Sequence, residues 1–297
     1  VYLKYAAWRN VMENKKKSQR TLILVMIINF LISIIKICLG LYTKSTSMTA
    51  DGFHSISDTS SNIVGIIGLH YASKPKDKKH PYGHYKFETL ASLFISFMLF
   101  ALSGQIVVDA ISKFINPTIT RIPPISIAVL IFTIVVNTVV SVWENKKGKE
   151  LNSQVLVSDS IHTRSDIFVS LGVLVTLILL KLGANPIIDP IASLVVAVFI
   201  IHAALKIFKD SSFVLVDGTQ ISEDDIRNIV MEFDEVVDVH KIRSRGSLDN
   251  LNIDLHIVVN ADLDVEKSHI LVHDIEDAMK EKFNKNTQVL AHVEPDN

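Results

Sequence analysis

Two copies of one spacing carry the chemistry of this chain: Asp51-Gly-Phe-His54-Ser-Ile-Ser-Asp58 and, further along, Asp159-Ser-Ile-His162-Thr-Arg-Ser-Asp166. Each has the form D-x-x-H-x-x-S-D, and each lies in a segment whose remainder reads as a membrane-spanning helix. Residues four apart share a helix face, so His54 stands over Asp58 and His162 over Asp166. Two such faces meeting present two imidazoles and two carboxylates, a donor set that tetrahedral zinc accepts. Ionisable groups at membrane depth are costly, so two matched pairs make a functional-site hypothesis; the alternative is a structural polar contact between helices.

Composition supports a membrane setting. The chain has 297 residues, 48% of them hydrophobic, which is too apolar for an ordinary soluble domain and fits several spans plus a polar remainder. A net charge of -1 gives no sign of a nucleic-acid partner. The single cysteine, Cys38, falls in an apolar run, so no intrachain disulfide and no thiolate metal site is expected. Any metal is then held by nitrogen and oxygen. Lys15, Lys16, Lys17 and Arg20 precede an apolar run of full spanning length without a small-residue cleavage site, which reads as a retained first helix.

The elements that must position the paired motifs follow from hydropathy. Residues 1–20 read as a polar, basic segment able to lie at an interface through Tyr2, Tyr5 and Trp8. A first span is expected over about Thr21–Tyr42, interrupted by Asn29 and by Lys36, whose long side chain is expected to snorkel outward. The second, about Met48–Ala72, carries His54 and Asp58; its first half is rich in Ser, Thr, Asp and Gly and must line a bundle interior or a wet cavity. Further spans are expected over about Glu88–Phe114, Ile125–Trp143, Ser153–Leu182, and from beyond Asn185-Pro186 to about Phe208. Lys and Arg concentrate in the N-terminal tail and in the second-to-third and fourth-to-fifth loops, which puts both termini in the cytoplasm.

From about Ser211 the pattern becomes that of a small α+β domain. Ser222-Glu-Asp-Asp225 has capping-box-like spacing before a helix with Ile226, Ile229, Val230 and Phe233 on one face. Strands are expected over Val236–Ile242 and Leu251–Val259, then a helix over Val265–Phe283 and a strand over Gln288–Val293, an αββαβ order. His292 and Glu294, two apart in the last strand, point to one side. So small a domain calls for a second copy or a metal to stabilise it.

The paired helices, the loop His80-Pro-Tyr-Gly-His84-Tyr-Lys86-Phe-Glu88 and the αββαβ tail together resemble the cation diffusion facilitator family of divalent-metal transporters, over nearly the whole chain after the tail. The resemblance implies an α-helical membrane protein with six transmembrane helices and a small, metallochaperone-like cytoplasmic domain, assembled as a homodimer and exchanging cytosolic metal for protons. The implied division is a cytoplasmic tail over 1–20, a transport domain over 21–210, and a metal-binding regulatory and dimerisation domain over 211–297. His54, Asp58, His162 and Asp166 match the family's transport site, where many bacterial members have Asp at the position of His54. Asp77, His80 and His84 match a loop site, although Lys76, Lys78 and Lys79 beside it oppose metal by like charge and a turn-and-surface role stands as the alternative. Lys86 and Asp217 match an ion pair between the membrane and soluble halves. His240, His256, His269, His292 and Glu294 match a binuclear cytoplasmic site whose last carboxylate is often Asp, and His273, one turn from His269, is an extra candidate.

The function these readings favour is efflux of a divalent cation, zinc first, by proton antiport at the plasma membrane of a bacterium. Zn(II) is then both cargo and regulatory ligand, since two imidazoles lean the site toward zinc, while Fe(II), Mn(II), Co(II) and Cd(II) stay possible cargoes. Binding needs neutral imidazole and ionised carboxylate, so metal and protons compete. Asp51 and Asp159, three residues before the histidines, are candidates for a hydrogen-bond acceptor behind the ligands or a proton relay; the alternative is a cavity-facing carboxylate. A membrane metalloenzyme is disfavoured because H-E-x-x-H is absent and four protein ligands leave no position for water. A metal receptor that moves nothing is the remaining alternative.

Overall fold

The structure, a computed structural model, describes residues 2–42, 46–115, 124–185, 187–247 and 249–296. Within helices, the side chains at 2–11, 40, 46–51, 53, 54, 57, 58, 124–126, 177, 180 and 181 lie outside that description. The chain divides into two compact units, 14–211 and 212–297 together with 1–13.

Helices α1 (Tyr2–Tyr42), α2 (Thr46–Ala72), α3 (Lys86–Ile115), α4 (Pro124–Glu150), α5 (Gln154–Lys181) and α6 (Ile188–Leu215) precede the second unit. Their surfaces invert the usual order. Phe94, Phe97, Phe132, Val139 and Phe199 face outward, while Ser92, Ser96, Ser141, Asp159 and Thr163 are buried. Hydrocarbon around the bundle explains this, because lipid solvates apolar side chains and leaves polar ones only each other and the backbone. Ser33 Oγ accordingly donates to the Asn29 carbonyl at 2.8 Å and Thr163 Oγ1 to the Asp159 carbonyl at 3.2 Å. Small residues let helices touch: a Cβ on Gly68 of α2 would lie 2.4 Å from Ala91 Cβ of α3.

Among the described residues, four helical stretches are apolar and long enough to cross a membrane: Met12–Leu39, Lys86–Ile115, Ile127–Glu150 and Ile188–Leu215. The two other long helices, α2 and α5, have 27 and 28 residues and span about 40 Å at 1.5 Å per residue. They are the two that carry the D-x-x-H-x-x-S-D motifs.

Helix ends differ from the hydropathy limits. Helix α1 continues back to Tyr2, α4 runs past Trp143 to Glu150, and α6 past Phe208 to Leu215. Hydropathy marks only the part of a helix facing lipid, whereas the helix persists as long as its backbone hydrogen bonds form. The interfacial side chains Tyr2, Tyr5 and Trp8 lie outside the described residues. Lys36 corrects an expectation: it does not snorkel outward but is buried at 7% exposure, with Nζ donating to Ser55 Oγ of α2 at 2.9 Å. Asn29 likewise turns inward and donates from Nδ2 to Asn62 Oδ1 at 3.4 Å.

One buried ion pair ties α1 to the starts of α3 and α5. Glu88, in the first turn of α3, pairs with Lys15 of α1 and accepts from Ser153 Oγ at 2.6 Å and the Val155 N–H at 3.4 Å. Its carboxylate thereby satisfies an open N–H at the start of α5. Thr89 Oγ1 adds a hydrogen bond to Gln154 Oε1 at 2.9 Å.

The second unit holds α7 (Glu223–Val230), β1 (Val236–Ser247), β2 (Asn250–Val259), α8 (Val265–Lys282) and β3 (Gln288–Pro295), in the αββαβ order. Ser222 caps α7 by accepting from the Asp225 N–H at 3.1 Å, and Asp264 caps α8 through Lys267 N at 2.8 Å. The sheet order is β1-β2-β3, antiparallel then parallel. Alternation along β2 sends Leu251, Ile253, Leu255, Ile257 and Val259 into the core with Ile226, Leu271, Ile275 and Met279 of the helices. Asp254, His256 and Val258 therefore take the other sheet face. Strand β1 extends five residues past Ile242, to Ser247, because pairing with β2 resumes beyond an irregularity between His240 and Arg243.

Removing one partner of the buried Lys15–Glu88 pair strands a charge, at a cost of about 3–5 kcal/mol. Lys15→Met alone is therefore expected to lower the thermal unfolding midpoint of the detergent-solubilised protein markedly. The double variant Lys15→Met/Glu88→Met should recover much of the loss, and purely additive losses would contradict the pairing.

Candidate metal centres

Helices α2 and α5 pack antiparallel, and two contacts give their register. The Asp159 carboxylate accepts from Ser61 Oγ at 2.8 Å and from Asn62 Nδ2. One turn onward in α2, a Cβ on Gly65 would lie 3.1 Å from Val155 Cγ2, one turn back in α5. Residue numbers rise along one helix as they fall along the other. The same register, extended in the other direction, sets backbone position 58 level with 162 and position 54 level with 166. His162 is buried and Asp166 half-buried. The side chains of His54, Asp58 and Asp51 lie outside the described residues, so α2 contributes its half through backbone position alone.

Asp159 is nearly inaccessible, at 1% exposure, and clasps α5 to α2 one turn from His162. Sequence reasoning missed the group it faces on α4. Glu144 is fully buried near Asp159, its carboxylate oxygens without a hydrogen-bond partner among the described residues, yet it follows Trp143 at the end of the expected span and belongs to no motif. Its one signal was an acid placed immediately after a long apolar run. Asn145 Nδ2 to Ser160 Oγ, at 3.0 Å, continues this polar seam between α4 and α5.

The loop between α2 and α3 brings Asp77, His80 and His84 together, with one ligand atom from each within 4.8 Å of the others. Asp77 Oδ1 accepts from the backbone N–H groups of Lys79 and His80, at 2.8 and 2.7 Å. The His80 N–H in particular holds this carboxyl below its usual range. His84 Nε2 lies 3.4 Å from Asp77 Oδ2, and its ring is buried although the other two residues are exposed. Such a turn orients acid and imidazoles whether or not a cation arrives.

In the second unit, strand register aligns three histidines. His240 pairs with His256 and His256 with His292, across β1, β2 and β3. Ring centroids are 5.4 and 4.6 Å apart. Glu294 reaches back along β3 to this row: its carboxylate lies 2.7 Å from His256 Nδ1, 3.3 Å from His240 Nε2 and 3.7 Å from His292 Nε2. The longer side chain than Asp thus spans the gap. Asp238, 3.5 Å from His240 Nδ1, joins the cluster without having been anticipated. The hydrogen bond with His256 holds the Glu294 carboxyl below its ordinary value against a smaller desolvation effect, helped by the charges of His240 and Lys241.

The remaining matched residues lie elsewhere. His269 forms a ring pair with His273, centroids 4.6 Å apart, on the exposed side of α8. Leu271, Ile275 and Met279 take that helix's buried side, so within one chain His269 stands apart from the row on the sheet. Lys86 opens α3, and Asp217 follows α6 at φ 58° with its carboxylate 4.0 Å from the Arg245 guanidinium.

A polar-cored helical bundle joined to an α+β unit with a histidine–carboxylate cluster defines the class: an α-helical membrane protein carrying a small α+β domain. Residues 22–216 match the model of the cation efflux transmembrane domain, and residues 219–296 that of the cation efflux protein cytoplasmic domain. An uncharacterised transporter of Methanocaldococcus jannaschii is 35% identical, covering 90% of this chain and 94% of the relative. Manganese efflux system protein MneS of Bacillus subtilis is 28% identical over 90% and 92%, and cation-efflux pump FieF of Cronobacter sakazakii 26% identical over 89% and 88%. The chain belongs to the cation diffusion facilitator family and is a divalent-cation efflux transporter.

Glu294 supplies a pH prediction for the metal-free protein. Its folded value is depressed, so its stabilisation is present above the ordinary glutamate value and is lost as pH falls through the lowered one. Hydrogen exchange of β2 and β3 in chelator-treated full-length protein should accelerate across that acid window. Glu294→Gln should remove the acid-dependent part, and an unaltered profile would contradict the pairing with His256.

Proposed function

We propose that the chain exports a divalent cation, zinc in the first instance, in exchange for protons, through His54, Asp58, His162 and Asp166. The observation that carries this reading is the antiparallel register of α2 and α5, which sets the two copies of D-x-x-H-x-x-S-D level with each other. Two imidazoles and two carboxylates suit Zn(II), and Co(II) nearly as well. Protonation of the same groups expels metal, so an acidic exterior drives release. All six long helices span the membrane in this reading, with both termini cytoplasmic and the membrane a bacterial plasma membrane; the excess of Lys and Arg in alternate connections supports the orientation. Asp159 serves as a positioning carboxylate behind the ligands.

The cytoplasmic unit, 211–297, acts as a metal sensor in a homodimer. Metal on His240, His256, His292 and Glu294 biases the transporter toward its active arrangement, while His269 and His273 stand exposed on α8. Lys86 and Asp217 couple the two halves, and Asp77, His80 and His84 take up metal weakly. A second cargo has specific support, because relatives are named manganese efflux proteins. Mn(II) would be the cargo if carboxylates outweigh imidazoles in the working site.

Purified protein in proteoliposomes with an imposed pH gradient tests the reading. Wild type is expected to move Zn(II) in a gradient-dependent manner and Asp166→Ala to lose the flux, with Mn(II), Fe(II), Co(II) and Cd(II) run alongside to rank cargo. Flux that follows Mn(II) and ignores Zn(II) would transfer the assignment to manganese. Metal binding without flux of any cation would leave a sensor.

A further inference from the structure

A cation already sits against the ligand-bearing turn of α2. Lys36 belongs to the apolar stretch Met12–Leu39 of α1, yet its side chain is buried and its Nζ hydrogen-bonds Ser55 Oγ at 2.9 Å. Ser55 lies one residue after His54 and three before Asp58. Helix α1 can approach this turn because Gly52 has no side chain: a Cβ there would lie 2.6 Å from Ile37 Cγ1 and 3.2 Å from Lys36 Cβ. The hydrogen bond and the helix contact are independent observations, and both hold Lys36 inward.

A lysine in a membrane helix ordinarily extends its stem to bring the ammonium toward water. Lys36 turns to the interior instead, and a buried ammonium persists there only beside negative charge. The acidic positions of α2 within one turn of Ser55 are Asp51, four residues before, and Asp58, three after. An ammonium has three donors and no lone pair, so it cannot ligate metal. It acts on the site through its charge.

We infer that Lys36 is a resident counter-cation of the transport site, which lowers the affinity for divalent metal and so keeps the cargo releasable. This rests on the reading of His54, Asp58, His162 and Asp166 as ligands. A unit charge held within about 8 Å of a dication, at an effective dielectric of about 20, weakens binding by at least about tenfold. Nitrogen and oxygen ligands at membrane depth would otherwise hold Zn(II) tightly enough to slow turnover. Lys36 trades affinity for release.

The test is calorimetric titration of Zn(II) into the full-length protein in detergent, with His240→Ala/His256→Ala as background to silence the cytoplasmic cluster. Asp166→Ala in that background defines the transport-site part of the isotherm; if it removes nothing, the ligand reading fails and the Lys36 inference falls with it for a recognisable reason. With that part established, Lys36→Met and Lys36→Gln are expected to tighten it at least about tenfold, and Lys36→Arg to restore wild-type affinity. Ser55→Ala, which removes the hydrogen bond and keeps the charge, should stay within about threefold of wild type. In flux assays KM should fall with the dissociation constant while kcat does not rise. Lys36→Gln retains a donor for Ser55 and carries the test if Lys36→Met does not fold. Unchanged or weaker binding in the neutral variants overturns the inference, as does a Ser55→Ala effect equal to theirs.

Discussion

Polar groups enclosed by a lipid-facing bundle have only one another to bond, and the helical unit is built on that constraint. The Asp159 carboxylate illustrates it: Ser61 and Asn62 donate to it from α2, while Ser141 Oγ and Asn145 Nδ2 of α4 donate to the adjacent Ser160. An unpartnered carboxylate at that depth would be prohibitively costly. Helices α2, α4 and α5 are therefore held at fixed rotations, and with them the motif turns of α2 and α5. The Lys15–Glu88 pair does the same between α1 and the start of α3, and Ser153 adds the start of α5. Apolar packing against lipid-like surfaces could not fix these rotations, because hydrocarbon competes equally well for every apolar face.

The second unit meets a different problem by ordinary means. Water surrounds it, so one face of a three-stranded sheet packs under α7 and α8 and the other is left free for chemistry. Strand pairing spaces His240, His256 and His292 at the intervals of neighbouring strands, and Glu294 completes the row from the edge strand. Rigid ladders hold these groups, where loops would let them drift. A cluster mounted in this way is already ordered before any ligand arrives.

Charge balance links the two units to the work of an exporter. A carrier must bind its cation and also let it go, so a site of maximal affinity would be a trap. Lys36, turned inward from α1 onto Ser55, puts a basic side chain beside the α2 turn that carries the first motif.

Much of this protein was written locally. The two D-x-x-H-x-x-S-D segments, the alternation along Leu251–Val259 and the Ser222 cap depend on residues within a few positions of each other, and local spacing makes them legible. Helix limits were less so: Trp143 and Phe208 end apolar runs but not helices, because backbone bonding continues through polar residues. What no local pattern could supply is register between distant elements. The match of 61 with 159 and of 65 with 155, the single line formed by three histidines on three strands, the burial of Glu144 beside Asp159, and the inward turn of Lys36 to Ser55 each join residues far apart in the chain. His269, assigned by position to the histidine cluster, stands off on α8 because the side of that helix which packs on the sheet is decided by Leu271, Ile275 and Met279. Sequence by itself determined where nitrogen and oxygen donors recur at helix or strand spacing, since donor chemistry and spacing are local properties. Only the tertiary structure decided which of them meet, because partners are chosen by packing and by the need of every buried polar group for another.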